Sequence, residues 1–391
     1  MFNKQKTGSY FSATCSGLRS PRLAVCAAFF LSGALVGVWA SRIPAVAGAF
    51  EISKSTLGLL LLCLAAGAII SFPLAGWGSD RFGAARSTRL LAALYCVALL
   101  FVAVSPNIWV LAVALLLFGA GHGALDVAMN TWAAAVERAM GKAVMSSFHA
   151  IFSLGAGVGA ATGFGAVALD LSVPVHFALA VVVLGVPVGW LAMVPWQDAP
   201  PTAHKKAPLF ALPKGPLVAV GVMALCASMG EGAMADWSAI YLIAVGGVTE
   251  AKAALGYAVF SVAMVAMRLM GDRLVVRFGA VSVARGSGAV AFIGTLVAVF
   301  VPGFVPTLAG FALMGLGYAT IFPLAFSRAA NDANIGPGAG IASVATLGYG
   351  GILLGPPIIG FIADATSLST AFLVLSALAL AIVLLGGTLR R

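Results

Sequence analysis

Apolar runs broken by charges, prolines and glycines recur from end to end of this chain. Leu90 to Ser105 and Val110 to Ala120 contain no Asp, Glu, Lys or Arg. A helix crossing hydrocarbon needs about 20 predominantly apolar residues. The breaks predict twelve such helices, near 23–47, 55–78, 88–105, 108–135, 145–169, 173–195, 216–245, 252–272, 284–302, 305–328, 339–363 and 369–388. These runs are too long for a transmembrane β-barrel, whose strands alternate over about 10 residues. The expected fold class is therefore all-α integral membrane, with twelve transmembrane helices and short loops.

The longest polar stretch, Trp196 to Gly215, holds His204, Lys205, Lys206 and Lys214 and splits the chain nearly in half. This predicts an N-terminal segment (1–22), a six-helix bundle (23–195), a central loop (196–215), a second six-helix bundle (216–388) and a short C-terminus (389–391). The halves repeat each other. Lys54, Leu57 and Gly58 recur 198 residues on as Lys252, Leu255 and Gly256, and Trp39 recurs as Trp237. Arg81-Phe82-Gly83-Ala84 and Arg89 recur 196 residues on as Arg277-Phe278-Gly279-Ala280 and Arg285, and Gly119-x-Gly121-His122 as Gly315-x-Gly317-Tyr318. Parallel repeats of this kind predict a pseudo-twofold axis with a substrate path along it.

Composition narrows the class further. The chain is 61% hydrophobic and 9% charged, with a mean hydropathy of +1.07. Soluble domains are about 25% charged, and disordered chains lack such apolar content. A net charge of +10 could signal nucleic acid, but no segment joins basic residues to a soluble fold. With the N-terminus inside, eighteen of the 22 basic residues fall in cytoplasmic segments. The positive-inside rule then predicts an inner-membrane protein with both termini cytoplasmic. Lys4, Lys6, Arg19 and Arg22 precede a first apolar segment that runs to about Val46, too long for a signal-peptide core. Of Cys15, Cys26, Cys63, Cys96 and Cys226, four lie in apolar stretches without metal spacing, so neither a disulfide nor a metal is expected. No cofactor is expected either; the partners are a small-molecule substrate, protons and the lipid bilayer, and the chain is read as a monomer.

Of the 12 acidic residues, nine lie in loops or at span ends; Asp126, Glu231 and Asp236 do not. An ionisable group at membrane depth costs at least about 2.5 kcal/mol and therefore faces a cavity, finds a partner or titrates. These three are the proton-coupling candidates. His122, Asp126 and Asn130, at i, i+4 and i+8, share one face of span 4. That stripe would line a pathway, with Asp126 carrying a proton and Asn130 bonding solute hydroxyls, or would tie span 4 to a neighbouring helix. Glu231 sits near mid-membrane in span 7, and Asp236 lies nearer the outside. Arg42, near the outer end of span 1, would pair with Asp236 or Glu231 when the outer side closes, would contact solute when it opens, or would snorkel to the surface. Trp39 and Trp237 would stack on a sugar-like ring or belong to an interfacial aromatic belt.

Span 5 aligns Ser146, His149, Ser153 and Gly157, with His149 either contacting solute or bonding structurally. Tyr318 is a further substrate-binding candidate through its repeat relation to His122. Arg268 and Asp272, at i, i+4, read as a structural pair. Gly155-x-Gly157-x-Gly159 and Gly163 sit inside a span and predict tight helix packing rather than a phosphate loop; Gly355-Pro356-Pro357 reads as a kink or hinge. No Ser-His-Asp or Cys-His constellation emerges, so the chain is not read as an enzyme.

Span 2 ends in Gly76-Trp77-Gly78-Ser79-Asp80-Arg81-Phe82-Gly83-Ala84-Ala85-Arg86. An acid at a helix end can pair with arginines and with a neighbouring helix N-terminus, so Gly76, Asp80, Arg81, Gly83 and Arg86 form a candidate cytoplasmic gate. The second copy has Val276 in place of the acid. This stretch resembles the G-x-x-x-D-R-x-G-x-x-R loop of the major facilitator superfamily. Trp39 to Pro44, Ser147 to Gly155 and Glu231 to Ser238 resemble its MosC and YbjJ-like branch, which is associated with uptake of rhizopine, an inositol derivative. Asp126-x-x-x-Asn130 is similar to the acid-x-x-x-Asn of the fucose-permease branch, where that acid participates in proton coupling and sugar binding. That branch also has an acid in span 1, where this chain offers Arg42. The resemblance implies two pseudo-twofold-related six-helix bundles and alternating access. The function expected is proton-coupled uptake of a small polar solute, sugar, polyol or cyclitol; the alternative is an efflux antiporter for amphipathic compounds.

Overall fold

The computed structural model describes residues 20–141, 144–196, 212–332 and 337–390, without the side chains at 146, 272, 330, 337–339 and 342. Cys15, Lys4, Lys6, Arg19, His204 to Lys206 and the Ser146 and Asp272 side chains lie outside this description. Twelve long apolar helices follow one another: α1 (Pro21–Ala49), α2 (Lys54–Phe82), α3 (Ala84–Ala103), α4 (Ile108–Met140), α5 (Met145–Ala168), α6 (Val173–Ala192), α7 (Leu217–Ala244), α8 (Leu255–Phe278), α9 (Ala280–Phe300), α10 (Phe304–Ala329), α11 (Pro337–Ala365) and α12 (Leu368–Leu385). A short helix, Glu250–Ala253, leads into α8. Sides are named outer and cytoplasmic by the orientation that the Lys and Arg distribution predicts.

Several helices outlast the apolar pattern that announced them. The predicted second span stops at 78, yet α2 continues through Asp80 and Arg81 to Phe82 and turns at a single residue, Gly83, with φ +92. Gly279, its repeat partner, turns α8 into α9 with φ +78. Only glycine holds this backbone without strain. The gate motif thus comprises the last turns of α2, the Gly83 turn and the first turn of α3 rather than an extended loop. Prolines account for two irregularities. In α6, Pro187 cannot donate to the carbonyl four residues back, and Val181–Gly185 widens into a π turn. In α10, Pro323 does the same beyond Tyr318, and the helix resets before Ile321. Pro356 and Pro357, expected to mark a kink or hinge, are both accommodated inside the continuous α11.

Each half is a six-helix bundle with the same neighbour pattern. In the first, α1 packs on α5 and α2 on α4; in the second, α7 packs on α11 and α8 on α10. Glycines set the closest crossings. A Cβ on Gly33 would overlap the Phe152 carbonyl, and one on Gly159 would overlap that of Ala34, so α1 and α5 meet backbone to backbone. Between hydrocarbon-soaked helices, dispersion at such contacts replaces the hydrophobic effect as the packing force. The predicted phosphate-free role of the α5 glycines is what the geometry displays.

The halves meet along two repeat-related seams, α2 against α11 and α5 against α8. In the first, the carbonyl of Pro356 lies 2.9 Å from where a Gly58 Cβ would be, and Phe72 lies 4.7 Å from Tyr349 between ring centres. In the second, Gly157 faces Ala258, Ser261 and Val262. The predicted pseudo-twofold relation therefore governs both the bundles and the surface between them.

Candidate transport site

On the first half, α4 presents the polar stripe. Asn130 Nδ2 donates to the Asp126 carbonyl (2.8 Å) and to Asp126 Oδ1 (3.0 Å). Both amide hydrogens are thereby spent, and a solute would find the Asn130 carbonyl rather than its donors. His122 lies one turn away, its Nδ1 3.5 Å from Ser32 Oγ of α1 and its ring against Tyr95 and Phe152 at 5.6 and 6.2 Å. His122, Asp126 and Asn130 all keep some exposed surface. Tyr349 of α11 stands within electrostatic range of Asp126, so the second half contributes to this corner.

On the second half, Glu231 sits at the middle of α7. Its Oε2 is 3.4 Å from Nη2 of Arg268 on α8. The same guanidinium crosses to the first half, where its Nη1 donates to Ser153 Oγ and, at 3.4 Å, to the His149 carbonyl of α5. Arg268 is thus joined to Glu231 rather than being explained by Asp272 alone. The i, i+4 spacing that suggested a local pair concealed a partner on another helix. Tyr257 and Tyr318 lie within electrostatic range of Glu231. Asp236, five residues outward, keeps some exposed surface and forms no hydrogen bond or ion pair among the described residues.

Other candidates fall elsewhere. Arg42 is 5% exposed, and it pairs with neither Asp236 nor Glu231. Its Nε lies 3.4 Å from Glu250 Oε1, and its Nη2 donates to the Leu171 carbonyl at 3.2 Å. It does not snorkel; it ties the α5–α6 turn of one half to the start of α8 in the other. Trp39 and Trp237 are 2% and 0% exposed, with Trp39 packed on Phe118 at 6.3 Å. Neither ring lies in an aromatic belt or on an open face; both are bundle core. Tyr318 is fully buried, its hydroxyl donating to the Leu375 carbonyl at 3.3 Å while its ring fills the space beside Gly230. It braces Glu231's helix from behind. His149 packs edge-on against Phe29 at 5.3 Å and remains partly exposed.

Asp80 and Arg81 at the cytoplasmic end of α2 and Arg86 at the start of α3 are exposed and form no ion pair among the described residues. Arg81 instead lies over the Trp77 ring at 5.6 Å, and a Cβ on Gly76 would meet open space. The outer end is fastened. Asp364 of α11 accepts from the backbone amides of Lys54 (3.2 Å) and Ser55 (2.7 Å) at the start of α2. Sequence reasoning set Asp364 and Glu250 aside as end-of-span acids and took Ser153 for one member of a stripe. Their partners lie in the opposite half, beyond the reach of any spacing rule.

Two bundles, two repeat-related seams and a polar lining at their centre constrain the family strongly, and residues 25–345 match the one described as Major Facilitator Superfamily. The chain belongs to the major facilitator superfamily. It is a transporter of that superfamily, crossing the membrane many times. It is 45% identical over 374 residues to an uncharacterized transporter, y4wD, of Sinorhizobium fredii (strain NBRC 101917 / NGR234), covering 96% of this chain and 99% of that one. It is 37% identical over 350 residues to the membrane protein MosC of Rhizobium meliloti, covering 90% and 85%. Among solved structures it resembles the nucleoside transporter NupG (TM-score 0.74, 13% identity, 94% of this chain and 98% of that chain). It also resembles a D-xylose-proton symporter (TM-score 0.71, 15% identity, 94% and 96%). The similarity to a superfamily and to MosC, expected from the motifs, is thereby established.

Proposed function

We propose that this superfamily member is a secondary active transporter that carries a small polar solute, a sugar, polyol or cyclitol, into the cell with protons. The observation that supports this reading is the presence of titratable groups well inside long apolar helices of both halves, Asp126 with Asn130 and His122 on one side and Glu231 with Arg268 on the other. Carboxylates at that depth, beside donors and acceptors suited to hydroxyl groups, serve both a proton and a polyol. Asp126 is the first proton carrier, Glu231 the second, and Asp236 a third titratable group on the outer side. His149 and the exposed carbonyl of Asn130 are solute contacts. Kinship in fold to a D-xylose-proton symporter supports the solute class and the coupling ion.

Outer bonds through Arg42, Glu250 and Asp364, together with Asp80, Arg81 and Arg86, which form no ion pair among the described residues, support an outward-closed, cytoplasm-open arrangement. The Gly76–Arg86 stretch is then a latch that engages when the cytoplasmic side shuts. In this reading the protein sits in the inner membrane with both termini in the cytoplasm, which a fluorescent fusion at the C-terminus checks directly.

The test is a melting-temperature screen of the purified protein against D-xylose, myo-inositol, uridine and gluconate, since a ligand stabilises the state it binds. Uptake of the stabilising compound into proteoliposomes then follows, with an inward proton gradient. Accumulation that collapses with a protonophore, and that Asp126→Asn abolishes while exchange persists, is the expected result. Accumulation indifferent to the protonophore, or unchanged in Asp126→Asn, refutes proton coupling through this residue.

A further inference from the structure

Arg268, at the α5–α8 seam, bonds to both halves of the molecule. Its root is on α8, its acidic partner is on α7 of the same bundle, and its remaining donors go to α5 of the opposite bundle. Its side chain is 14% exposed, so it is largely out of water. Glu231 Oε1 is buried without a hydrogen-bond partner, which leaves the guanidinium as the group that answers the charge of that carboxylate. A buried ion pair loses heavily when one member alone is neutralised, because the other is stranded. Neutralising Glu231 therefore strands Arg268, whose other bonds in this state reach across the α5–α8 seam.

We propose that Arg268 is the positioning residue through which the charge on Glu231 sets the grip between the two halves. Ser153 and the His149 carbonyl hold the guanidinium in place only while α5 and α8 lie as they do here. Relative to an arrangement in which that placement is lost, this one consequently favours a Glu231 that has given up its proton, and a Glu231 that takes one loosens the α5–α8 bond. The inference rests on the proton-coupled reading and adds the means by which protonation reaches the seam. The other groups facing Glu231 do not substitute for it. Tyr257 and Tyr318 are neutral phenols, and Asp236 is itself a carboxyl, which cannot answer a carboxylate. His149 offers Arg268 its carbonyl, Arg42 is engaged with Glu250, and Asp272 lies four residues along α8 from Arg268.

The sign follows from linkage. An arrangement that favours the deprotonated carboxylate gains population as pH rises, by at most about tenfold per pH unit for one proton. Spin labels at Ala139 and Val276, both exposed at cytoplasmic ends of opposite halves, report the opening between them in nanodiscs without any solute. Electron-electron resonance from pH 5 to 8 is expected to show the cytoplasm-open distance growing in population with pH. Glu231→Gln should remove the part of that slope due to Glu231, and Arg268→Gln should remove the same part. The paired neutral variant Glu231→Gln/Arg268→Gln, which strands neither charge, should fold and show the same reduced slope. Arg268→Lys, which keeps charge but loses the fork, should restore only part of the slope.

An Arg268→Gln or paired variant that keeps the part of the slope which Glu231→Gln removes overturns the proposal, as does a wild type whose slope Glu231→Gln leaves unchanged. A wild type that responds to pH but accumulates solute regardless of protonophore would instead defeat the proton-coupled reading while leaving the Arg268 result standing.

Discussion

Replacing Asp364 with alanine removes two hydrogen bonds that one half of the molecule donates to the other. Helix α2 starts at Lys54 with Ser53 as its N-cap, and Ser53 Oγ accepts the Thr56 amide at 3.1 Å. The first two amides, of Lys54 and Ser55, are left over, and Asp364 takes both. The cap of α2 is therefore completed in trans, from the far end of α11. Losing a side-chain cap costs about 0.5–2 kcal/mol, typically about 1. Asp364 is exposed, and solvent screens its attraction to the helix dipole, which keeps the estimate near the middle of that range. Because the bonds exist only while the outer ends meet, the loss falls on the outward-closed state alone. About 1 kcal/mol corresponds to roughly a fivefold shift toward outward-open molecules. Spin labels at Ala49 and Thr366, both exposed at the outer end, would measure that shift as growth of a long-distance population. Ser53→Ala supplies the contrast, since its local bond persists in both states and its loss should lower stability without moving the populations. Identical distance distributions for Asp364→Ala and its parent would refute the reasoning, as would an equal shift from Ser53→Ala.

Two other perturbations have defined outcomes. Arg42→Ala leaves Glu250, 28% exposed, without its partner, at a cost below the roughly 3–5 kcal/mol of a fully buried pair; the Ala49–Thr366 distances should move outward, and Arg42→Ala/Glu250→Ala should recover part of the shift. Trp39→Phe and Trp237→Phe, at core positions, should each lower the melting temperature in detergent while leaving the stabilisation by the identified solute unchanged.

The helices, their number and the twofold repeat were legible because each is local. Hydropathy marks a span residue by residue, and an offset of 196 to 198 requires only two matching stretches. The polar residues of α4 were legible for the same reason, since i, i+4 and i+8 share a face whatever the neighbours. What stayed hidden was which neighbour each face meets. Trp39 and Trp237 lie about two turns from the outer ends of their predicted spans, and the same position serves a belt or a bundle core depending on a rotation that spacing does not encode. Arg268 had an acid at the local distance, Asp272, and the ion pair with Glu231 comes from a separate helix. Arg42 was matched to acids at its own depth in span 7, but the turn before α8 brings Glu250 closer. Asp364 looked like an ordinary helix-end acid because the amides it caps are 310 and 309 residues away in sequence.

The trans cap at Asp364 has a further consequence, which concerns water. The Lys54 and Ser55 amides and the Asp364 carboxylate stand at an exposed edge, so when they part a water molecule can occupy each vacated position at little cost. The α1–α5 crossing offers no such exchange, because there backbone presses on backbone and no solvent can enter. Hydration thus divides this molecule into joints and solids. Surfaces whose bonds water can imitate are free to open, and those it cannot reach are carried along intact.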